Sequence, residues 1–117
     1  QEPVYIFVDK NQLTLLVNNL LTNAIEAIPE LRGGLIRLIV EVEDGNAILK
    51  VEDNGTGISD DQLNNIFMPH FTTKTKGSGL GLALVKRIVQ LNSGTISFNS
   101  IPTEGTTFIV SFRRVDV

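Results

Sequence analysis

The chain has no cysteine among its 117 residues, which excludes disulfides and thiolate metal sites and leaves the compartment open. It has no run of lysine or arginine, and ten basic residues stand against thirteen acidic ones, a net charge of −3. No nucleic-acid surface is expected from such a balance. The longest apolar stretch, Leu35 to Val42, is interrupted by Arg37 and Glu41. Nothing in it is long enough to span a membrane, so no direct membrane contact is expected, and no signal peptide is expected. Histidine occurs once, as His70. What remains is 42% apolar and 20% charged, the composition of a globular chain with one core. It opens on Gln1 rather than methionine, which suggests a piece of something longer, with residues 1–117 forming one domain.

Periodicity sets out the elements. Val4 to Val8 reads as a short edge strand after Pro3. Asp9 is placed to cap a helix running to about Ile28, in which Leu13, Leu16, Leu20, Ala24 and Ala27 recur at three- and four-residue steps. Pro29 and Gly33-Gly34 end it. Leu35 to Glu43 and Ala47 to Asp53 form a hairpin around Asp44-Gly45-Asn46. A short helix is expected over Asp60 to Ile66, with Ser59 as cap. Phe67 to Ser78 lacks periodicity and reads as a mobile loop. Leu80 to Leu91 is helical and is stopped by Asn92-Ser93-Gly94. Ile96 and Phe98, then Phe108, Val110 and Phe112, alternate as the last two strands. The expected fold is a two-layer α/β sandwich, a mixed and mostly antiparallel sheet with about three helices on one face.

Four strings carry chemistry. Asn19 and Asn23 lie four residues apart and project from one side of the first helix. Polar residues on an outer helix face are common, yet asparagine is a mediocre helix former, and Asn18, Asn19 and Asn23 cluster here. Hard amide oxygens suit a magnesium ion that keeps its waters and also binds phosphates. Asp53-Asn54-Gly55 is by itself an ordinary turn. Gly57 and Ile58 after it allow a flat base to approach backbone, with the carboxylate accepting from an exocyclic amine such as adenine N6. Gly77-Ser78-Gly79-Leu80-Gly81-Leu82 fails the dinucleotide spacing at Leu82. No G-x-x-x-x-G-K-S/T loop exists, so a Walker-type NTPase is excluded. The string reads either as a plain flexible loop or as a helix N-terminus whose N–H groups bind anionic oxygens, with Lys74 and Lys76 just upstream. Gly105-Thr106-Thr107-Phe108 is the fourth string.

In this order the strings resemble the catalytic ATP-binding domain of sensor histidine kinases, within the ATPase superfamily shared with DNA gyrase. The resemblance runs from Asp9 to Phe112 and implies the Bergerat-type version of the sandwich. It implies that Asn23 ligates magnesium, that Asn19 is its phosphate-side companion, and that Asp53 reads adenine. Gly55, Gly57, Ile58 and Ala27 then fall around the base. Phe67 to Lys74 looks like the phenylalanine box of an ATP lid that orders over bound nucleotide, with Lys74 reaching the γ-phosphate. Gly77, Gly79, Leu80, Gly81 and Leu82 match the second glycine box, and Gly105 and Thr106 the last. The Phe-Thr-Thr-Lys ending of the lid, residues 71–74, is similar to nitrogen-regulatory-type kinases. The chain departs from the pattern at His70, and at Glu26, where some members carry a base near phosphate.

Gyrase-like and chaperone-like members hydrolyse ATP with a glutamate four residues before the magnesium asparagine. Here that position is Asn19, an amide that cannot take a proton at neutral pH. A kinase needs the γ-phosphate held for a separate nucleophile rather than water activated. His70 lies in the lid, without the acidic helical neighbour of an acceptor histidine. The resemblance therefore implies an acceptor histidine on a dimerisation domain outside this chain, and an aspartate on a response regulator downstream. It also implies a cytoplasmic placement, whether or not the parent protein is anchored in the inner membrane. A switch ATPase of the same fold and a nucleotide-binding module without transfer remain as alternatives, with a serine kinase of this fold a minor one.

Overall fold

The computed structural model describes residues 3–68 and 81–116. Helix α1 spans Lys10–Ala27 and begins as expected: the Asp9 carboxylate accepts from the Gln12 N–H at 2.8 Å. Leu16, Leu20 and Ala24 form its buried stripe, the four-residue spacing that keeps side chains on one helix face. It stops because Ile28 precedes Pro29 and is extended, with ψ 120°. A residue before proline is pushed out of the helical region.

Strand β1 is only Tyr5–Ile6, followed after α1 by β2 (Ile36–Glu43) and β3 (Asn46–Asp53). The β2–β3 hairpin turns at Asp44 and Gly45, both at positive φ (52° and 79°), as a two-residue primed turn requires. After one 3₁₀ turn (Asp60–Gln62) come α2 (Gly81–Leu91), β4 (Thr95–Ile101) and β5 (Gly105–Val115). The sheet runs β1-β5-β3-β2, with β4 also paired to β5, and every pairing among the described residues is antiparallel.

Local departures from the sequence reading have physical reasons. β1 is Tyr5–Ile6 where Val4 to Val8 is expected, and it pairs with β5 beyond the stretch from Gly105 to Ser111 that β4 takes. Its partners there are Arg114 for Ile6 and Val115 for Tyr5. The helix expected over Asp60 to Ile66 is one 3₁₀ turn, and Ser59 makes no side-chain cap bond. At the end of α2, Ser93 rather than Gly94 takes the left-handed conformation (φ 58°), while the Gly94 N–H closes on the Val89 carbonyl at 2.9 Å. Gly94 is small for another reason: a Cβ there would sit 2.8 Å from the Phe112 ring.

The core lies between the helices and one sheet face. Leu16, Leu20 and Ala24 from α1 meet Val85, Ile88 and Val89 from α2 over Val51, Phe108, Val110 and Phe112. Phe67, read from sequence as the first residue of the mobile loop, packs instead against this core. Its ring lies 5.9 Å from that of Phe98 and 6.3 Å from that of Phe108, both edge-on, and Lys86 Nζ sits 5.4 Å above it. The rest of the lid sequence, from Pro69 through Lys74, Gly77 and Gly79 to Leu80, lies outside the described residues. Among those described, no helix is long and apolar enough to cross a membrane.

Candidate functional site

The inward-facing rung Val51–Phe108–Phe98 is followed, toward one end of the sheet, by a polar one. Asp53 on β3 is in register with Thr106 on β5, and Thr106 with Ser100 on β4. Thr106 is the buried polar residue of this rung. Its hydroxyl lies 2.9 Å from that of Ser100, which also accepts from the Ile58 N–H at 2.7 Å. The polar rung is thereby bonded to the loop that follows β3.

That loop is tied down at almost every residue. The Asp53 carboxylate accepts from the Gly55 N–H at 2.8 Å. The Thr56 N–H donates to the Ala27 carbonyl at the end of α1, and the Thr56 carbonyl accepts from the Thr103 N–H at 2.7 Å. Two glycines allow this packing. A Cβ on Gly55 would fall 2.7 Å from the Ala27 carbonyl carbon, and one on Gly57 (φ 73°) would fall 2.9 Å from Pro102 Cα. Gly105, at φ 139°, presses in the same way on the Asp53–Asn54 backbone. Asn54 turns outward from this arrangement: its side chain accepts from Leu35 N–H and donates to the Gly33 carbonyl, each at 2.9 Å.

Asn19 and Asn23, both half-buried, occupy the edge of α1 beside the buried stripe. The Asn19 amide donates to the Leu15 carbonyl at 2.7 Å. Its oxygen faces the start of α2, where a Cβ on Gly81 would come within 2.9 Å of it. Leu82 packs against the core and Ile58 does the same from the other loop. The structure therefore gathers Ala27, Asp53, Gly55, Gly57, Ile58 and Thr106 into one cluster, and sets Asn19 beside Gly81, with Asn23 one helical turn along. Lys74, Gly77, Gly79 and Leu80 lie outside the described residues.

Two residues of this end of the molecule escaped the sequence reading. Ser100 had a usable signal, since alternation from Ile96 and Phe98 places it inward, next to Thr106. Arg32 had none. Its guanidinium reaches the Asn54, Gly55 and Thr103 carbonyls, contacts between segments far apart in sequence.

A glycine-pressed loop led by a carboxylate, an asparagine-bearing helix and a glycine opening the next helix stand together at this end of the fold. Residues 8–116 match the family of histidine kinase-, DNA gyrase B- and HSP90-like ATPases, and the chain belongs to that family. Within it, the chain is a catalytic ATP-binding domain homologous to those of histidine kinases. It is 38% identical to Sporulation kinase A of Bacillus subtilis (strain 168) over 114 residues, covering 97% of this chain and 18% of that protein. The solved catalytic domain of histidine kinase ThkA, nucleotide-free, superposes with a TM-score of 0.81 at 31% identity, covering 93% of this chain and 70% of that one. Full-length ShkA in complex with AMPPNP superposes at 0.84 and 25% identity, covering 98% of this chain and 24% of that one. The chain spans about a fifth of the length of the curated relatives it matches.

Proposed function

We propose that this chain binds Mg-ATP and donates its γ-phosphate to a histidine on a separate helical dimerisation domain of a longer sensor kinase. A response-regulator aspartate takes the phosphoryl group next. The reading places the domain in the cytoplasm. The observation that carries it is the position of Asn19, an amide where hydrolytic relatives carry a glutamate base, with its oxygen turned toward the N-terminus of α2.

The donor set fits magnesium that arrives with nucleotide. Asn19 and Asn23 bring amide groups to one edge of α1, both half-buried, and a hard neutral oxygen together with phosphates suits magnesium. Asn23 would be the ligand, and bound magnesium would neutralise charge on the phosphates. Asp53 accepts the adenine amine, while Ala27, Gly55, Gly57, Ile58 and Thr106 wall the base. Backbone N–H groups of Gly81 and Leu82, with Gly77, Gly79 and Leu80, take phosphate oxygens at the positive end of α2. Lys74 holds the γ-phosphate. In transfer, the bond between the γ-phosphorus and the β,γ-bridging oxygen breaks, a bond to the acceptor imidazole nitrogen forms, and ADP leaves. The chain's part is positioning and charge stabilisation.

Incubated alone with radiolabelled ATP, the chain should bind nucleotide, release phosphate slowly, and retain no acid-labile label. Rapid phosphate release would favour the switch ATPase, since it would show water activated without a base at Asn19. Acid-labile label lost in His70→Gln would show that the chain carries its own acceptor.

A further inference from the structure

Arg32 stands after α1, in the turn closed by its own N–H on the Pro29 carbonyl at 3.0 Å. A single guanidinium nitrogen, Nη1, donates to the Asn54 carbonyl at 2.7 Å, the Gly55 carbonyl at 2.9 Å and the Thr103 carbonyl at 3.3 Å. The first two belong to the loop behind Asp53 and the third to the β4–β5 turn. These two backbones already lie against each other through Gly57, Gly105 and the Thr103–Thr56 hydrogen bond. Carbonyls crowded in this way repel one another. A cation among them turns the repulsion into charge-assisted hydrogen bonds, stronger than neutral ones. Arginine suits the place because it is always charged and its donors are fixed in a plane.

We propose that Arg32 is a positioning residue for base recognition: it fixes the Asn54–Gly55 backbone, and through the Gly55 N–H the orientation of the Asp53 carboxylate. The inference rests on the reading of Asp53 as the residue that accepts the adenine amine. Arg32 touches backbone oxygens only, so it acts through Asp53 and not on the base. With the clamp gone, the loop samples conformations in which the Gly55 N–H leaves Asp53, and the carboxylate loses its aim. Affinity for adenine nucleotides falls, and the discrimination that depends on that aim falls with it.

The test uses this chain, with ATP and GTP titrated separately and in competition against Arg32→Ala, Arg32→Lys and Asp53→Asn. Arg32→Ala should weaken ATP binding about three- to tenfold, the scale of one ordinary hydrogen bond, because the guanidinium acts on the base only through Asp53, and narrow the ATP-over-GTP ratio. Arg32→Lys keeps a cation with several donors and should recover part of both. Amide exchange at Gly55 and Thr56 should quicken in Arg32→Ala and slow again in Arg32→Lys. An unchanged ATP affinity and ratio in Arg32→Ala would overturn the clamp. So would an equal loss for both nucleotides that lysine does not recover, because a merely structural role would produce it. If Asp53→Asn erases the preference while Arg32→Ala keeps it, the clamp alone fails. If Asp53→Asn keeps it, the base-recognition reading fails and the clamp with it.

Discussion

Asn23→Ala should abolish phosphoryl transfer while leaving the fold intact. Asn23 lies on the edge of α1, half-buried, outside the stripe of Leu16, Leu20 and Ala24 that holds the helix to the core. Alanine is the better helix former, so α1 should persist, and circular dichroism of the variant should match the parent. What disappears is the amide oxygen proposed to ligate magnesium. A metal held there would stabilise charge on the phosphates by several kcal/mol, and each 1.4 kcal/mol is roughly tenfold in rate, so a loss on the order of a hundredfold or more is expected. Asn23→Ala transferring phosphate at the parent rate would show that the oxygen has another task.

The second large effect is at the other end of the site. In Asp53→Asn the side-chain oxygen can still accept from Gly55 N–H, as the carboxylate does now at 2.8 Å. The loop therefore keeps its shape, and the new amide nitrogen takes the place of the second oxygen. A donor then faces the adenine amine, another donor. An unsatisfied buried group costs about 1–3 kcal/mol, which is on the order of ten- to a hundredfold in affinity. Calorimetry should show this loss for ATP in Asp53→Asn, and in the parent a marked preference for ATP over GTP. Equal affinities of the parent for the two nucleotides would remove Asp53 from base recognition.

Features of the chain that rest on neighbours in sequence were legible before any coordinates. Asp9 as cap, the Leu16–Leu20–Ala24 stripe, the Asp44–Gly45 turn and the alternation of Phe108, Val110 and Phe112 all appear in the structure. The sandwich follows from them, because each element shows which side it must bury. Features set by distant partners were not legible. One is the place of β1, which pairs with β5 beyond the stretch that β4 takes. Phe67 packs against the core because its ring meets those of Phe98 and Phe108 in T-shaped pairs. At the site, the aspartate and the glycines were visible as residue types in a string. Their mutual packing was not, since the atoms that Gly55 and Gly105 press against belong to Ala27 and to Asp53 and Asn54. Arg32 joins three carbonyls from two other segments, and no spacing in the chain foreshadows it.

The claim that this domain gives phosphate to a histidine it does not itself carry is tested most directly by mixing two fragments. One is this chain; the other is the helical acceptor domain of its parent protein. Each is incubated alone and together with ATP labelled at the γ-phosphate, and acid-labile phosphate is scored on each. Transfer rests on positioning and electrostatic stabilisation, so tethering helps without being chemically required. Acid-labile label is expected on the acceptor fragment only in the mixture, and is lost when Asn23→Ala replaces the parent chain. Phosphate released to water at the same rate with and without the acceptor, and no label on it, would show that the domain is not a histidine phosphotransferase.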